Sequence, residues 1–472
     1  MSRMHGELSL PAPRRESRVS LSFLPTLDRR PGAAAGLARS CGIDPAGEGV
    51  LRPLPALRKI TTAAVPGTPL ALTVAGGRVF VLLRQSGVLY LARVEAGGAY
   101  SLTTLSNTEP DAPRSFAAFN QYEYPDNPLS GSVRHLLLIY PDRKYVNLDD
   151  SSNLSVESMP SPGGMPNLRV ACVHASRLFG VAGDRVFASA YNDPFNFNLD
   201  TAGDIGAANA WASTVQANAR AGGAFTALAV FASHVHLMKA DFCHIVNNTK
   251  NPFRVADLGA FGTPDPNTLA ATDRYLYFAG ETSLYAYNGE SVREIGAPLG
   301  LSSFAGAKGA AAGEKYYLLA GGDLYVYSPA AGGFGTLPQP EGGIAALAPA
   351  GERCLFLGAD GHVYESGTTP GAWEGETEDL PFGVDAPARL SRLSLSATLA
   401  PGSSVSVSLV GQGGEARPLL SLAAPADAAA PVSRRAVSRV HPAAAFAGRL
   451  RFAGEGDAVI RDLTLRVSDT ES

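Results

Sequence analysis

KYYLLAGGDLYVYS, Lys315 to Ser328, holds two short aromatic and aliphatic runs on either side of Gly321 and Gly322. Tyr, Leu and Val favour extended backbone, and a two-residue glycine turn supplies the positive φ that a tight hairpin needs. The stretch predicts a β-hairpin. The same grammar recurs as RVFVLLRQSGVLYLARV (Arg78 to Val94), RHLLLIYPDRKYVNL (Arg134 to Leu148) and RLFGVAGDRVFASA (Arg177 to Ala190). It returns as HVHLMKADFCHIVN (His234 to Asn247), RYLYFAGETSLYAYNG (Arg274 to Gly289) and RCLFLGADGHVYESG (Arg353 to Gly367), which makes seven hairpins. They recur at intervals of about 40 residues, with two longer intervals.

A further short apolar stretch precedes each hairpin, from LALTV at Leu70 to SFAGA at Ser303 and GIAALA at Gly343. Three or four short strands per repeat, cut by Gly or Asp turns, describe a propeller blade that cannot cover its own faces and edges. The expected fold is therefore all-β: a seven-bladed β-propeller over residues 52–382. Residues 1–51, with RRESR and DRRPGAAAG, are expected as an extended N-terminal arm. From residue 383 the aromatic hairpins give way to strict alternation, as in ARLSRLSLSATL and SSVSVSLVGQ, which predicts a C-terminal β-sandwich over 383–472. The stretch from Ser421, SLAAPADAAAPVSRRAV, reads as a loop. Two stacked β-sandwiches would explain the regular recurrence poorly.

Composition agrees. Apolar residues make up 45% of the 472 and charged residues 17%, so general disorder is excluded. Fifty-one glycines and 34 prolines suit many short elements. A formal net charge of -4 gives no global field toward polyanions or membrane surfaces. Cys41, Cys172, Cys243 and Cys354 lie far apart with no Cys-x-x-Cys, against a zinc framework or a disulfide scaffold and in keeping with a reducing compartment. The opening MSRMHGELSLPAPRRESRVS lacks an apolar core of about seven residues, and no uncharged apolar run approaches about 18. Synthesis in a cytoplasm and no membrane partner are expected.

Five patterns bear on chemistry. His234 and His236 share a strand face, and Cys243 with His244 lies across the same hairpin, the only arrangement suggestive of a metal besides Cys172 with His174. Alternation with Val235 and Leu237 gives the simpler reading of a solvated strand face. Glu281, Asp323 and Asp360 could serve a glycosidase, but they sit at hairpin tips where turn geometry alone demands such residues. There is no Gly-x-Ser-x-Gly, and GAKGAAAG, from Gly306, lacks the phosphate-loop ending and reads as a loop. Arg14, Arg15, Arg18, Arg29 and Arg30 are diluted by Glu7, Glu16 and Asp28 and have no aromatic platform, so protein docking is favoured over DNA contact. No catalytic, cofactor-binding or metal-binding residue is assigned, and no cofactor is expected.

Three segments carry a resemblance: RLFGVAGDRVFASAYNDPFNFN (Arg177 to Asn198), FTALAVFASHVHLMKADFCHIV (Phe225 to Val246), and GAFGTPDPNTLAATDRYLYFAGETSLYAYNGESVREIG (Gly259 to Gly296). Together they resemble the β-propeller structural proteins of tailed bacteriophages of the tail-hub, nozzle or head–tail stabilisation type, with Tyr191-Asn192-Asp193-Pro194-Phe195 the most distinctive part. The lead-in from Ser22 is similar too. The resemblance implies a non-enzymatic virion component of the tail or head–tail junction. It implies several copies in a homo-oligomeric ring, and portal, adaptor or tail proteins as partners. Two other classes compete: a carbohydrate- or receptor-binding propeller at the tail tip, for which Trp211 and Trp373 are the available aromatics, and a propeller glycosidase.

Overall fold

The computed structural model describes residues 16–20, 26–30, 36–45, 50–106, 114–123, 132–150, 153–160, 165–199, 209–213, 222–247, 251–381, 388–411, 413–440 and 447–469. The chain is all-β; its helical content among the described residues is two 3-10 turns, at Pro266–Thr268 and Ala297–Leu299. It divides into two compact units, Ala56–Thr368 and a second built from both ends of the chain, Met1–Pro55 with Thr369–Ser472.

The first unit consists of four-stranded antiparallel sheets, seven among the described residues, designated I to VII in chain order. Sheet I lies within residues 68–106, II within 115–158, III within 170–212, IV within 227–259, V within 270–294 and VI within 308–337. In each, neighbouring strands follow one another in sequence. Sheet VII breaks that rule: its strands Ile344–Ala350, Arg353–Gly358 and Val363–Pro370 are completed by Pro55–Lys59 from the beginning of the unit. Ile60 N–H donates to Val363 O at 2.9 Å just beyond this pairing.

Side-chain parity explains why the strands read as unbroken apolar runs. In Ser132–Tyr140, residues Leu136, Leu138 and Tyr140 enter a core shared with Leu168 and Leu178 of the sheet III region, while Leu137 and Ile139 enter one shared with Phe80 and Leu82 of sheet I. A strand covered on both faces has no polar side to alternate with. Val235 and Leu237 likewise meet Phe179 and Val181 of sheet III, and Met238 meets Leu276 and Phe278 of sheet V. Tyr277 of sheet V stacks on Tyr316 of sheet VI at 4.6 Å, and Tyr317 meets Phe356 of sheet VII edge-on at 5.6 Å. Leu355 and Leu357 of sheet VII share a core with Val81 and Leu83 of sheet I. Each sheet thus packs on the next, and the last packs on the first. Lys308 adds a polar tie, its Nζ donating to Ala345 O of sheet VII at 2.6 Å and to Leu70 O of sheet I at 3.5 Å.

All seven sequence hairpins are present as adjacent strands. The first strand of sheet VI is not the SFAGA stretch but Lys308–Ala312, within the segment read as a loop. Gly309 makes it possible: a Cβ there would lie 2.2 Å from the Tyr316 hydroxyl, which donates to Thr268 O at 2.8 Å.

The second unit has two sheets among the described residues. One runs Glu16–Ser20, Ala458–Asp469, Ala388–Leu399, Val432–Arg439; the other contains Leu37–Cys41, Ala372–Thr377, Ala447–Glu455, Ser404–Val410 and Ala416–Ala423, with Leu380–Pro381 paired to its third strand. Both feed one core of Leu37, Ile43, Leu393, Leu395, Leu450, Phe452, Leu463 and Leu465 among others. Three expectations change here. Residues 1–51 do not stand apart as an arm, because Glu16–Ser20 and Leu37–Cys41 are strands of this unit and Ile43 and Leu51 are fully buried in its core. The boundary at 382 moves to 368, since Trp373 and its strand pair with Ala447–Glu455. The loop read from Ser421 contains the end of one strand and most of another, Val432–Arg439.

Candidate functional site

Strand parity takes His244 away from the other groups that suggested a metal, while Cys243 stays on the face of His234 and His236. Leu237 pairs with His244 and Met238 with Cys243, so His244 lies on the face opposite His236. His236 is buried against Phe231 and Tyr287, with ring centroids at 5.6 and 5.9 Å, and burial pushes its pKa down to about 4. His234 is exposed, its Nδ1 2.8 Å from Ala232 O. His244 is fully buried between Phe225 and Phe242. Its Nδ1 lies 3.2 Å from Asp257 Oδ1 without hydrogen-bond geometry, and burial lowers its pKa against the pull of that carboxylate. Burial drives the Cys243 thiol up to about 12 and raises that of Cys172, leaving both as packing groups. Burial, then repulsion from His234, lowers the pKa of His174. Among the described residues no three His, Cys, Asp or Glu side chains are grouped to hold a metal.

The carboxylates considered for glycoside hydrolysis sit in the second turns of three different sheets. Asp360 accepts from Tyr364 Oη at 2.6 Å and His362 N–H at 3.1 Å and faces Lys59 at 3.7 Å. Partial burial raises its pKa, but these bonds outweigh that and hold it below the ordinary carboxylate value. Asp323 accepts from Tyr325 Oη at 3.2 Å, and Glu281 is exposed in its turn. Trp211 is half-buried, edge-on to Phe253 at 5.6 Å, and Trp373 is 3% exposed, so neither presents a stacking platform to solvent. Arg14 and Arg15 lie outside the described residues, as does the side chain of Arg18; Arg30 pairs with Asp28 at 2.6 Å.

The distinctive Tyr191–Phe195 segment joins two sheets. Asn192, at φ 59°, donates from Nδ2 to Tyr122 O at 2.6 Å and accepts at Oδ1 from Tyr122 N–H at 2.8 Å, so its amide mimics a strand residue beside sheet II. Phe195 packs on Tyr145 at 5.2 Å. Beneath it Arg177, 1% exposed, donates to Ser189 O and Asn209 O and lies over the rings of Tyr191 and Phe253 at 5.9 and 5.4 Å. A buried cation is tolerated here because carbonyls and ring faces replace water.

A cleft of about 570 Å³ was missed by the sequence reading. Asp273, Arg274, Tyr275, Glu314, Pro329 and Glu352 line it. Its three carboxylates, Asp273, Glu314 and Glu352, stand in the first turns of sheets V, VI and VII. The signal was visible as Ala-Gly-Glu-Lys at 312–315 and Ala-Gly-Glu-Arg at 350–353, but a two-residue turn explains the glycine and leaves the glutamate without a stated role. Arg274 Nη2 lies 3.7 Å from Glu314 Oε1 with both side chains about three-quarters exposed, at 76% and 74%. Both charges are solvated, without the desolvation that tunes an acid–base pair.

Fold and site together define an all-β protein built mostly of four-stranded antiparallel sheets. No family model matches the sequence, and no curated protein matches it. Among solved structures, virginiamycin B lyase from Staphylococcus aureus is similar at TM-score 0.40 and 10% identity, over 66% of this chain and 98% of that one. BamB from Moraxella catarrhalis is similar at TM-score 0.38 and 12% identity, over 74% and 97%, and AztD from Citrobacter koseri at 0.32 and 12%, over 71% and 90%.

Proposed function

We propose that this chain is a non-enzymatic virion structural protein of a tailed bacteriophage, with a closed seven-bladed β-propeller as its rigid body and a two-sheet β-sandwich as its second unit. The observation that carries the proposal is the Tyr191–Phe195 segment, the most distinctive part of the resemblance to phage propeller proteins, which is a clamp between sheets II and III. The cyclic order of shared cores from sheet I through VII and back supports the propeller, and the single core between the two sheets of the other unit supports the sandwich. A ring of sheets is stiff because every face is covered, and stiffness suits a part present in several copies around an axis. Its partners are then portal, adaptor or tail proteins and further copies of itself, and the mixed-charge cleft offers one docking surface. Mass spectrometry of gradient-purified tailed particles tests the reading. The expected result is this chain at a fixed number of copies per particle; its confinement to the particle-free fractions would overturn it.

A further inference from the structure

We propose that the sheet built on Ala388–Leu399 carries, on the face turned away from its core, a binding site for a phosphate-type oxyanion. Leu393 and Leu395 enter the core, so Arg392 and Ser394 belong to the opposite face. Strand register then does something costly. Arg18 pairs with Arg466, Arg466 with Arg392, and Arg392 with Arg439, which places an arginine at one level on all four strands. Neighbouring strands are about 4.8 Å apart, and like charges directly opposite one another destabilise a sheet. One level along, Ser20 pairs with Thr464, Thr464 with Ser394, and Ser394 with Val437. A row of arginines beside a row mostly of hydroxyl residues concentrates hydrogen-bond donors on this face.

The two rows enclose a cavity of about 120 Å³ lined by Arg392, Ser394, Arg435, Val437, Thr464 and Arg466. Three guanidinium groups and two hydroxyls face it, and among the described residues no carboxylate lines it. Thr464 is 6% exposed, and among the described residues its Oγ1 has no hydrogen-bond partner. A buried hydroxyl left unpaired is destabilising, and an acceptor in the cavity would relieve it. Arg435 Nε donates to Ser394 Oγ at 3.3 Å, which keeps that guanidinium over the cavity. Among the described residues Arg392 makes no hydrogen bond or ion pair. The acids one register level beyond the two rows are Asp462, which pairs with Ser396 on the other side from Arg435, and Glu16, which pairs with Ser468 on the far side of the arginine row; neither is among the residues that line the cavity. Guanidinium forks and hydroxyls are the donors that tetrahedral oxyanions take, and the volume suits one such group. A free phosphate and one phosphate of a polynucleotide present the same chemistry to it.

Titration of the full chain with inorganic phosphate, followed by calorimetry, tests the site. Saturable binding at millimolar or lower concentration is expected, weakened at least about tenfold by the double substitution R392Q/R435Q and about fivefold by Thr464→Val. The charge-preserving R392K/R435K protein should retain part of the affinity, and Arg254→Gln, in sheet IV, should leave it unchanged. A thermal melt of each variant separates lost binding from lost folding. A single-stranded oligonucleotide that displaces phosphate with steep salt dependence identifies the ligand as a polynucleotide backbone; one that does not displace it identifies free phosphate. No saturable binding by the unmodified chain, or equal binding by a folded R392Q/R435Q protein, would overturn the proposal.

Discussion

Glu365 Oε2 accepts a hydrogen bond from Arg353 Nη1 at 2.6 Å, and Arg58 holds the other oxygen of the same carboxylate. Glu365 is 7% exposed at its side chain, whereas Arg353 and Arg58 are 64% and 69% exposed. The carboxylate is the buried hub, and its two cations come from the second strand of sheet VII and from the strand Pro55–Lys59. The beginning and the end of the first unit are therefore fastened through one side chain.

Glu365→Gln keeps the shape of that hub and removes its charge. Two charge-assisted bonds weaken while both guanidinium groups stay hydrated, so the expected loss is about 1–3 kcal/mol. Arg353→Gln, which removes an exposed cation from a carboxylate that keeps Arg58, should cost less than about 1 kcal/mol. Urea midpoints of the three proteins at neutral pH check the asymmetry. Equal losses from the two variants would mean that the buried carboxylate is not the hub.

Acid sensitivity should come first from histidine. Burial holds the pKa of His236 at about 4, against an ordinary value near 6.5, and lowers those of His174 and His244. Between those two values the unfolded chain binds a proton that folded His236 refuses. Stability therefore falls as pH drops from about 6.5 and stops falling on this account below about 4, by as much as roughly 3 kcal/mol. His236→Gln removes the titration and should flatten the dependence of the urea midpoint on pH between 7 and 4.5. An unchanged slope would assign the sensitivity to other groups. Asp149 and Asp360 act in a separate window: their lowered pKa values give stability that is lost only as pH falls below the ordinary carboxylate range.

The hairpins were legible because each strand sends alternate residues to two neighbours, and runs such as Leu136 to Tyr140 carry that demand openly. Lys308–Ala312 was not legible. Lys-Gly-Ala-Ala-Ala has little β-propensity, and its extended state is imposed by Tyr316 over Gly309 and by the reach of Lys308 to two other sheets. The strands Glu16–Ser20 and Leu37–Cys41 were hidden for another reason: their partners lie more than about 300 residues away, so short-range pattern leaves them looking like an arm. The row of arginines was concealed in the same way. Arg18, Arg392, Arg439 and Arg466 are scattered in sequence and meet only through register.

Asn192 separates two contributions that its turn combines. Its positive φ favours Asn or Gly, and its side chain supplies two hydrogen bonds to Tyr122. Asn192→Gly retains the backbone freedom and loses the bonds, with an expected cost of about 1–2 kcal/mol; Asn192→Ala loses both and should cost about 1 kcal/mol more. Hydrogen exchange at the Tyr122 amide gives the local readout. If its protection is the same in Asn192→Gly and the unmodified chain, the clamp does not hold the end of sheet II.

Trp373 and Gly454 pair directly across two strands of the second unit, and the indole lies over the glycine. A Cβ at position 454 would fall 2.2 Å from Trp373 Cε2 and Cζ2, so Gly454→Ala must displace a ring that is 3% exposed. Overpacking of this kind costs about 1–3 kcal/mol. Trp373→Phe alone loses buried area but also removes an indole N–H that has no partner among the described residues, so its cost should be modest for an aromatic truncation. The two changes should be strongly coupled. With the far ring of the indole gone, the added methyl has room, and the double variant should be at least about 1 kcal/mol more stable than the sum of the single losses predicts. Strict additivity in a urea-denaturation cycle would mean that the sheet yields at Gly454 without involving the ring above it.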